Sequence, residues 1–220
     1  MVIEYNGKLR SHRLSTPKCI ETCDGITIFG KKIRSLVFST DAAIISNIDA
    51  DAVLAYYPFT PQPRIVHAAI CAADMPVFVG VGGGYTSGER SVQQAIEAEN
   101  LGCFGVMLNA PIRPEVIRQI KERVDIPIFY TVVSAGQEYR DHLAAGADFL
   151  NVCAAEKTAD VVRMIRNENP ALPVIASGGP TEQTIMETIS AGANAITFTP
   201  PTTGEIYKDI MKAHRMRYEG

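Results

Sequence analysis

The stretch LPVIASGGPTEQTIMETISAGANAITF, residues 172–198, reads as one strand, one helix and a second strand. A proline comes just before the first apolar run, and proline is tolerated at the start of a strand, where its missing N–H is not needed. Ile185, Met186 and Ile189 recur at helical spacing. Gly192 follows them, where a helix end favours the left-handed conformation that glycine adopts freely. The stretch therefore predicts one strand–helix–strand unit.

The same unit recurs along the chain. Strands entered through proline, in MPVFVGVGGG, IPIFYTVVS and LPVIASGG, alternate with strands entered through glycine, in LGCFGVMLNA, AGADFLNVCA and AGANAITFTP. Upstream, KIRSLVFSTD and ADAVLAYYPF add two more strands. Several of these runs are almost continuously apolar, as in a parallel sheet covered on both faces. Eight such units predict a single (βα)₈ barrel, or TIM barrel, with an open doubly wound sheet as the alternative.

The beginning of the chain does not fit this repeat. We predict an N-terminal extension over residues 1–30 and the (βα)₈ barrel over residues 31–220. The segments GKLRSHRL and DGITIFG predict a short hairpin in the extension. This hairpin either closes the floor of the barrel or reaches a neighbouring subunit, so the sequence leaves a homo-oligomer open.

Composition excludes several classes of partner. The formal net charge is −3, without the basic excess that nucleic-acid binding requires. No apolar run approaches the roughly 18 residues of a membrane span, and the first residues lack the plan of a signal peptide. We therefore expect a cytoplasmic protein that binds neither nucleic acid nor membrane. Five scattered cysteines favour reduced thiols over a disulfide framework or a zinc site, and we expect no metal and no cofactor.

Polar residues at the ends of the predicted strands are the candidates for chemistry, because barrels place their sites at the C-terminal strand ends. No histidine lies at a strand end, which argues against a catalytic triad or a His-ligated metal. Asp41 also fits a helix N-cap, and Glu156 also fits the first turn of a helix. Cys153 is expected to pack in the core, since no base lies near it. The predicted catalytic residues are Asp41, Tyr130, Asn151 and Glu156, and the predicted pocket wall adds Tyr56, Gly82 and Asn109.

The Gly-Gly pair after the seventh strand predicts a phosphate site. Glycine N–H groups reach an anion without an intervening side chain, and the positive end of the next helix adds to the attraction. Barrels usually bind phosphate after strands seven and eight. The alternative is a glycine turn with Pro180 in the first turn of the helix. The predicted phosphate-binding residues are Ser177, Gly178, Gly179, Thr202 and Thr203.

From residue 79 to residue 197 the chain resembles the 2-keto-3-deoxy-6-phosphogluconate aldolase family. The similar segments are VGVGGGYTSGERSVQQAIEAENLGCFGVMLNAPIRPEVI, IPIFYTVVSAGQEYRDHLAAGADFLNVCAAE and LPVIASGGPTEQTIMETISAGANAI. The resemblance implies a (βα)₈ barrel that binds phosphate. The family's Schiff-base lysine corresponds to Asn151, which cannot form an imine. Thr199-Pro200 stands where such barrels carry Gly-Ser after strand eight, and proline offers no N–H to a phosphate.

These features predict a protein that binds a small phosphorylated metabolite at the C-terminal face of the barrel. One interpretation is an isomerase, epimerase or lyase that works without a Schiff base, which the polar strand ends favour. The alternative is a non-catalytic metabolite sensor or regulatory binding protein. The absent lysine and the absence of histidine at the strand ends favour this second class.

Overall fold

The computed structural model of the protein describes residues 13–216, and its centre is a closed barrel of eight parallel strands. Each barrel strand pairs with the next along the chain, and the last pairs with the first. The predicted (βα)₈ barrel is therefore confirmed, and the open sheet is wrong. The strands are β1 (Ile26–Ile28) and β2 (Lys31–Ile33) of a separate hairpin, then β3 (Ser35–Phe38), β4 (Ala52–Ala55), β5 (Val77–Gly82), β6 (Gly105–Asn109), β7 (Ile128–Val132), β8 (Phe149–Val152), β9 (Val174–Ser177) and β10 (Ala195–Phe198).

Helices follow the barrel strands, and their ends carry the predicted signals. Pro63 and Pro114 lie in first helical turns, where the missing N–H costs nothing. Gly102, Gly146 and Gly192 have φ angles of 89°, 116° and 107°, which turn the chain from a helix back to a strand. The helices are α1 (Ala42–Ile45), α2 (Pro63–Ala72), α3 (Glu89–Asn100), α4 (Pro114–Lys121), α5 (Arg140–Ala144), α6 (Thr158–Glu168), α7 (Glu182–Ser190) and α8 (Thr203–Met216).

Alternation along the strands divides the core into two parts. Outward-facing side chains pack under the helices, while inward-facing side chains fill the barrel below its mouth. The rings of Phe78 and Phe129 meet edge to face inside the barrel, with centroids 5.5 Å apart. The interior cluster also contains Leu36, Leu54, Met107 and Ile175. The lower half of the barrel is therefore solid, and only the upper ends of the strands are free to form a site.

The hairpin of β1 and β2 closes the floor of the barrel. Its strands are Ile26–Ile28 and Lys31–Ile33, so DGITIFG does not pair with GKLRSHRL as predicted, and residues 7–12 of that segment lie outside the described residues. Ile26, Ile28 and Ile33 are buried in the same cluster as the interior side chains. The N–H of Gly25 donates to the carbonyl of Asn194, just before β10, at 2.9 Å. The hairpin therefore lies at the N-terminal strand ends, opposite the expected site. The boundary predicted at residue 30 falls in the turn of this hairpin, and the first barrel strand begins only at residue 35.

The last helix packs less closely than the segment that precedes the hairpin. A 3₁₀ turn at Lys18–Thr22 packs against α7 and buries Cys19 and Ile20. By contrast, α8 contains no buried residue and leaves Tyr207 and Ile210 exposed. The homo-oligomer that the sequence leaves open stays a prediction. None of the helices within residues 13–216 combines the length and the apolar character needed to cross a membrane.

The floor hairpin should contribute measurably to stability. Ile33 is 1 % exposed, so Ile33→Ala should lower the free energy of unfolding by about 2–5 kcal/mol through lost burial and the cavity left behind. Thr27→Ala, on the exposed face of the same hairpin, is the matched control and should stay within about 0.5 kcal/mol of wild type. Urea denaturation measures both. Equal, small effects would show that the hairpin is not part of the cooperative core.

Candidate functional site

The mouth of the barrel holds a cavity of about 580 Å³. It lies above the apolar interior, at the C-terminal strand ends where the sequence predicts a site. Its volume is within the usual range for small-molecule pockets. The lining residues are Pro17, Phe38, Leu54, Tyr56, Met107, Asn109, Thr131, Val133, Asn151, Cys153, Ser177, Gly179, Pro180, Ile185, Thr197, Phe198 and Thr199.

Three polar side chains form a row on one wall of the cavity. Asn109, Thr131 and Asn151 are register partners on β6, β7 and β8. The side-chain amide of Asn109 donates to the Tyr56 hydroxyl at 2.6 Å. The amide of Asn151 donates to the Thr131 hydroxyl at 3.2 Å. Each side chain in the row therefore has its position fixed by a neighbour before any ligand arrives.

The row continues on the next two strands. Ser177 on β9 and Thr197 on β10 are register partners and also line the cavity. Two buried polar atoms of the whole row, Oδ1 of Asn151 on β8 and Oγ1 of Thr197 on β10, have no hydrogen-bond partner within residues 13–216. Buried polar groups in native proteins are nearly always paired with protein, water or ligand. Both atoms are almost fully covered by their neighbours, so a bound molecule can form hydrogen bonds with them once the surrounding side chains shift.

The opposite wall is apolar. Phe38 and Leu54, from β3 and β4, face the cavity, and Met107 and Phe198 extend this surface. Among residues 13–216, those that line the cavity include no lysine, arginine, histidine, aspartate or glutamate. These residues offer neutral hydrogen-bonding groups and hydrophobic contact.

Tyr56 owes its place in the wall to a glycine that the sequence reasoning missed. A Cβ atom on Gly80 would lie 1.8 Å from the Tyr56 ring, so only glycine leaves room for this side chain. Gly80 occupies the inward position of β5 two residues after Phe78, and the ring takes that space. Tyr56 therefore lines the cavity, where the sequence places it in the pocket wall.

Five of the predicted residues line the cavity, namely Tyr56, Asn109, Asn151, Ser177 and Gly179. Tyr130 does not, and its predicted place in the mouth is corrected. Because side chains alternate along β7, the inward positions are Phe129 and Thr131, and Tyr130 points toward the helices. Its hydroxyl accepts from Gln137 at 2.9 Å, and its ring stacks on that of His142 at 3.8 Å. Tyr130 is thus part of the outer core.

The two candidate carboxylates also lie outside the cavity. Asp41 caps α1, with its carboxylate accepting from the N–H of Ala43 at 2.8 Å and from the Thr203 hydroxyl at 2.5 Å. That second hydrogen bond, followed by those from the backbone, holds the pKa of Asp41 below its ordinary value, although burial opposes the effect. Glu156 is exposed on a 3₁₀ turn after β8. The N-cap interpretation of Asp41 is confirmed, and neither carboxylate contacts the cavity.

Gly82 faces away from the cavity as well. The register shifts between Gly80 and Gly82 at the end of β5, which turns the latter outward. A Cβ atom there would meet the Ser91 hydroxyl on α3 at 2.2 Å. Gly82 instead lines a neighbouring groove below the exposed side chains of Phe59 and Tyr85. Contrary to the prediction from the sequence, Gly82 is therefore not part of the cavity wall, because β5 packs closely against α3 at this position.

The Gly-Gly turn after β9 offers fewer free N–H groups than the sequence predicts. The N–H of Gly178 donates to the carbonyl of Thr197 at 3.0 Å, so it is not available to an anion. A Cβ at this position would lie 2.7 Å from side-chain atoms of Ile185 and Ile196, which explains the glycine by packing alone. Gly179 has a φ of 79° and lines the cavity, and no acceptor for its N–H occurs within residues 13–216.

Some of the backbone N–H groups at the start of α7 already form hydrogen bonds within that turn. Thr181 and Thr184 form a capping box, in which each hydroxyl accepts the backbone N–H of the other at 3.2 Å. The N–H groups of Glu182 and Gln183 have no acceptor among the described residues. They follow Pro180 and Thr181 in the chain and, unlike Gly179, do not line the cavity. Three backbone donors in the segment from β9 into α7 therefore remain unpaired among the described residues.

The two threonines after β10 do not contribute to a phosphate site. The Thr202 hydroxyl donates to Glu205 at 2.8 Å, and the Thr203 hydroxyl donates to Asp41. Neither residue lines the cavity. Both hydroxyls are engaged by carboxylates, which would repel a phosphate, so their predicted role is corrected. They instead fix the start of α8.

Several lining residues were not predicted. Cys153 is exposed and lines the cavity, which corrects its expected place in the core. It stands two residues after Asn151, so the alternation along β8 was a usable signal. The same rule identifies Phe38, two residues after the buried Leu36. Pro17 comes from the N-terminal segment, and no local pattern indicates that it reaches the mouth.

Comparison with known proteins shows the fold. No family model matches this chain, and no curated protein matches it significantly. A protein of Burkholderia cenocepacia J2315 provisionally assigned as a phosphonomutase is 19% identical with a TM-score of 0.62, covering 84% of this chain and 93% of its own. An aldolase is 18% identical with a TM-score of 0.56 over 83% and 95%. A phosphonopyruvate hydrolase solved with oxalate and Mg²⁺ is 11% identical with a TM-score of 0.63 over 87% and 94%.

The capping role of Asp41 predicts a specific pKa change. Thr203→Val removes the hydroxyl that donates to the carboxylate, so the pKa of Asp41 should rise toward its ordinary value. Because the folded-state pKa is depressed, the stability from this group is present at neutral pH and is lost as the pH falls through that pKa. NMR titration of the side-chain carboxyl measures the shift. Thr202→Val, whose hydroxyl serves Glu205, should leave the pKa of Asp41 unchanged.

Proposed function

We propose that this protein binds a small phosphorylated metabolite at the barrel mouth, with the phosphate at the N-terminal end of α7. The observation that carries the proposal is the free N–H of Gly179 at the edge of a cavity of about 580 Å³. The N–H groups of Glu182 and Gln183, in the first turn of the helix that follows, are also unpaired within the described residues. Free N–H groups and the positive end of a helix together attract an anion.

The rest of the cavity suits the uncharged part of such a ligand. Its polar wall offers amide and hydroxyl groups, and its other wall offers apolar side chains. No cationic side chain from the described part of the chain lines the cavity, so within that part the phosphate would be held by backbone dipoles. We therefore expect an interaction that weakens as the salt concentration rises.

Among the function classes, a non-catalytic metabolite sensor has the better support. General acid–base catalysis needs a group whose pKa lies near the working pH. Tyr56 and Cys153 are the titratable side chains among the lining residues, and burial raises the pKa of the Tyr56 hydroxyl. Asp41, Tyr130 and Glu156 do not line the cavity. The cytoplasmic location belongs to this proposal and stays a prediction.

A second candidate function is an isomerase, epimerase or lyase without Schiff-base chemistry. The observation that favours it is the exposed Cys153 thiol inside the cavity. A thiol is both a proton donor and, once deprotonated, a strong nucleophile. Imine chemistry is not part of this candidate, because Asn151 takes the place of the lysine.

If phosphate binds at the start of α7, removing the negative charge of Glu182 should change the affinity for phosphate. The Glu182 carboxylate competes with an anion for the positive helix end, so Glu182→Gln should raise the affinity for inorganic phosphate about two- to fivefold. NMR titration at low ionic strength should show the amide signals of Gly179, Glu182 and Gln183 moving together. Glu115→Gln, in the first turn of α4, is the matched control and should have no effect. Unmoved signals in wild type and variant would refute the phosphate site.

Turnover separates the two candidate functions. We expect wild-type protein to leave a panel of phosphosugars unchanged, with product formation followed by phosphorus NMR. Turnover that survives in Cys71→Ser but is lost in Cys153→Ser would replace the sensor with an enzyme that uses the thiol in the cavity. Cys71 is the matched control because it is also an exposed free cysteine but does not line the cavity.

A further inference from the structure

Two polar atoms deep in the barrel mouth require a partner. Asn151 is 7% exposed and Thr197 is 8% exposed, and both line the cavity. The carbonyl oxygen of the first and the hydroxyl of the second have no hydrogen bond within residues 13–216. A buried polar atom left unpaired costs about 1–3 kcal/mol. A bound molecule that pairs with them therefore gains affinity that a purely apolar one cannot.

The polar groups form a continuous arc around the cavity. Five consecutive strands, β6 to β10, each place one neutral polar side chain there. These side chains are Asn109, Thr131, Asn151, Ser177 and Thr197. The strands that complete the barrel instead place Phe38 and Leu54 on the cavity. One side of a bound molecule thus meets donors and acceptors, and the other side meets hydrocarbon and an aromatic ring.

The arc limits the chemistry of what it holds. A carboxylate among these residues would lose its hydration without a cation to compensate, which is costly in a buried site. A plain hydrocarbon chain would leave Asn151 and Thr197 unpaired. A hydroxyl group both donates and accepts, so it matches amide and hydroxyl partners in either direction. Its carbon skeleton presents C–H groups to the apolar side.

We infer that the part of the ligand in the cavity is an uncharged polyol or sugar whose hydroxyl groups pair with Asn151 and Thr197. This inference rests on the proposed phosphate site, which anchors the other end of the same molecule. It names sugar or polyol phosphates as the ligand class, and it excludes ligands that place a carboxylate in the arc.

Three six-carbon phosphates test this selectivity. Hexyl phosphate has no hydroxyl groups, glucitol 6-phosphate has a hydroxyl on each remaining carbon, and 6-phosphogluconate replaces the terminal hydroxymethyl with a carboxylate. Calorimetric titration should give glucitol 6-phosphate an affinity at least about tenfold higher than either of the others. The side-chain amide signals of Asn151 should move with glucitol 6-phosphate and not with inorganic phosphate.

A substitution at Thr197 separates binding from stability. Thr197→Val removes an unpaired buried hydroxyl, so the protein should keep or gain stability while its affinity for glucitol 6-phosphate falls about tenfold. Thr158→Val is the matched control. Its buried hydroxyl donates to Ala155 at 2.8 Å and accepts from Ala154 at 3.0 Å, so it should lose stability and keep its affinity. A merely structural role for Thr197 would give the reverse result.

The remaining outcomes are distinct. Equal affinity for hexyl phosphate and glucitol 6-phosphate, or tightest binding of 6-phosphogluconate, would overturn the polyol inference. The movement of the Gly179 amide would still support phosphate binding in that case. No binding of the three compounds or of inorganic phosphate would refute the proposed function, and the inference would fail with it.

Discussion

The alternation of side chains along short parallel strands is the constraint on which this molecule depends. Each barrel strand has only four to six residues, so it directs about two side chains inward. The lower one is apolar on most strands, as in Phe129 and Ile175, and the upper one reaches the mouth, as in Thr131 and Ser177. The lower layer and the floor hairpin make a solid base. The side chains of the upper layer face the cavity instead of other side chains, so they can be polar.

Closure of the barrel also determines which polar groups remain available. Many groups at the C-terminal face are used by the fold itself, as Asp41 is by the first turn of α1 and Gly178 is by the carbonyl of Thr197. Such groups satisfy helix ends and turns that would otherwise bury unpaired donors. Among the groups that the described residues leave unpaired are the N–H of Gly179, which lines the cavity, and the buried atoms Oδ1 of Asn151 and Oγ1 of Thr197.

The side chains of residues 13–216 that line the mouth are amides, hydroxyls, a thiol and apolar groups. The carboxylates nearest in sequence to the strand ends, Asp41 and Glu156, lie outside the cavity. The likeness to solved barrels, an aldolase among them, is one of fold. The polar row of Asn109, Thr131 and Asn151 follows from the register of β6, β7 and β8 in this chain.

The sequence by itself determined the barrel, because proline before strands and glycine after helices are local requirements of the backbone. It also identified five of the seventeen residues that line the cavity, including Asn109 and Asn151, because polar residues at strand ends need no distant information. Tertiary structure alone decided the rest. Tyr130 turned outward because the register of β7 fixes which face each residue takes, and Pro17 reached the mouth because a distant segment folds over α7. Hydrogen bonds between residues far apart in the chain, such as Thr203 to Asp41, decided which groups the fold consumes.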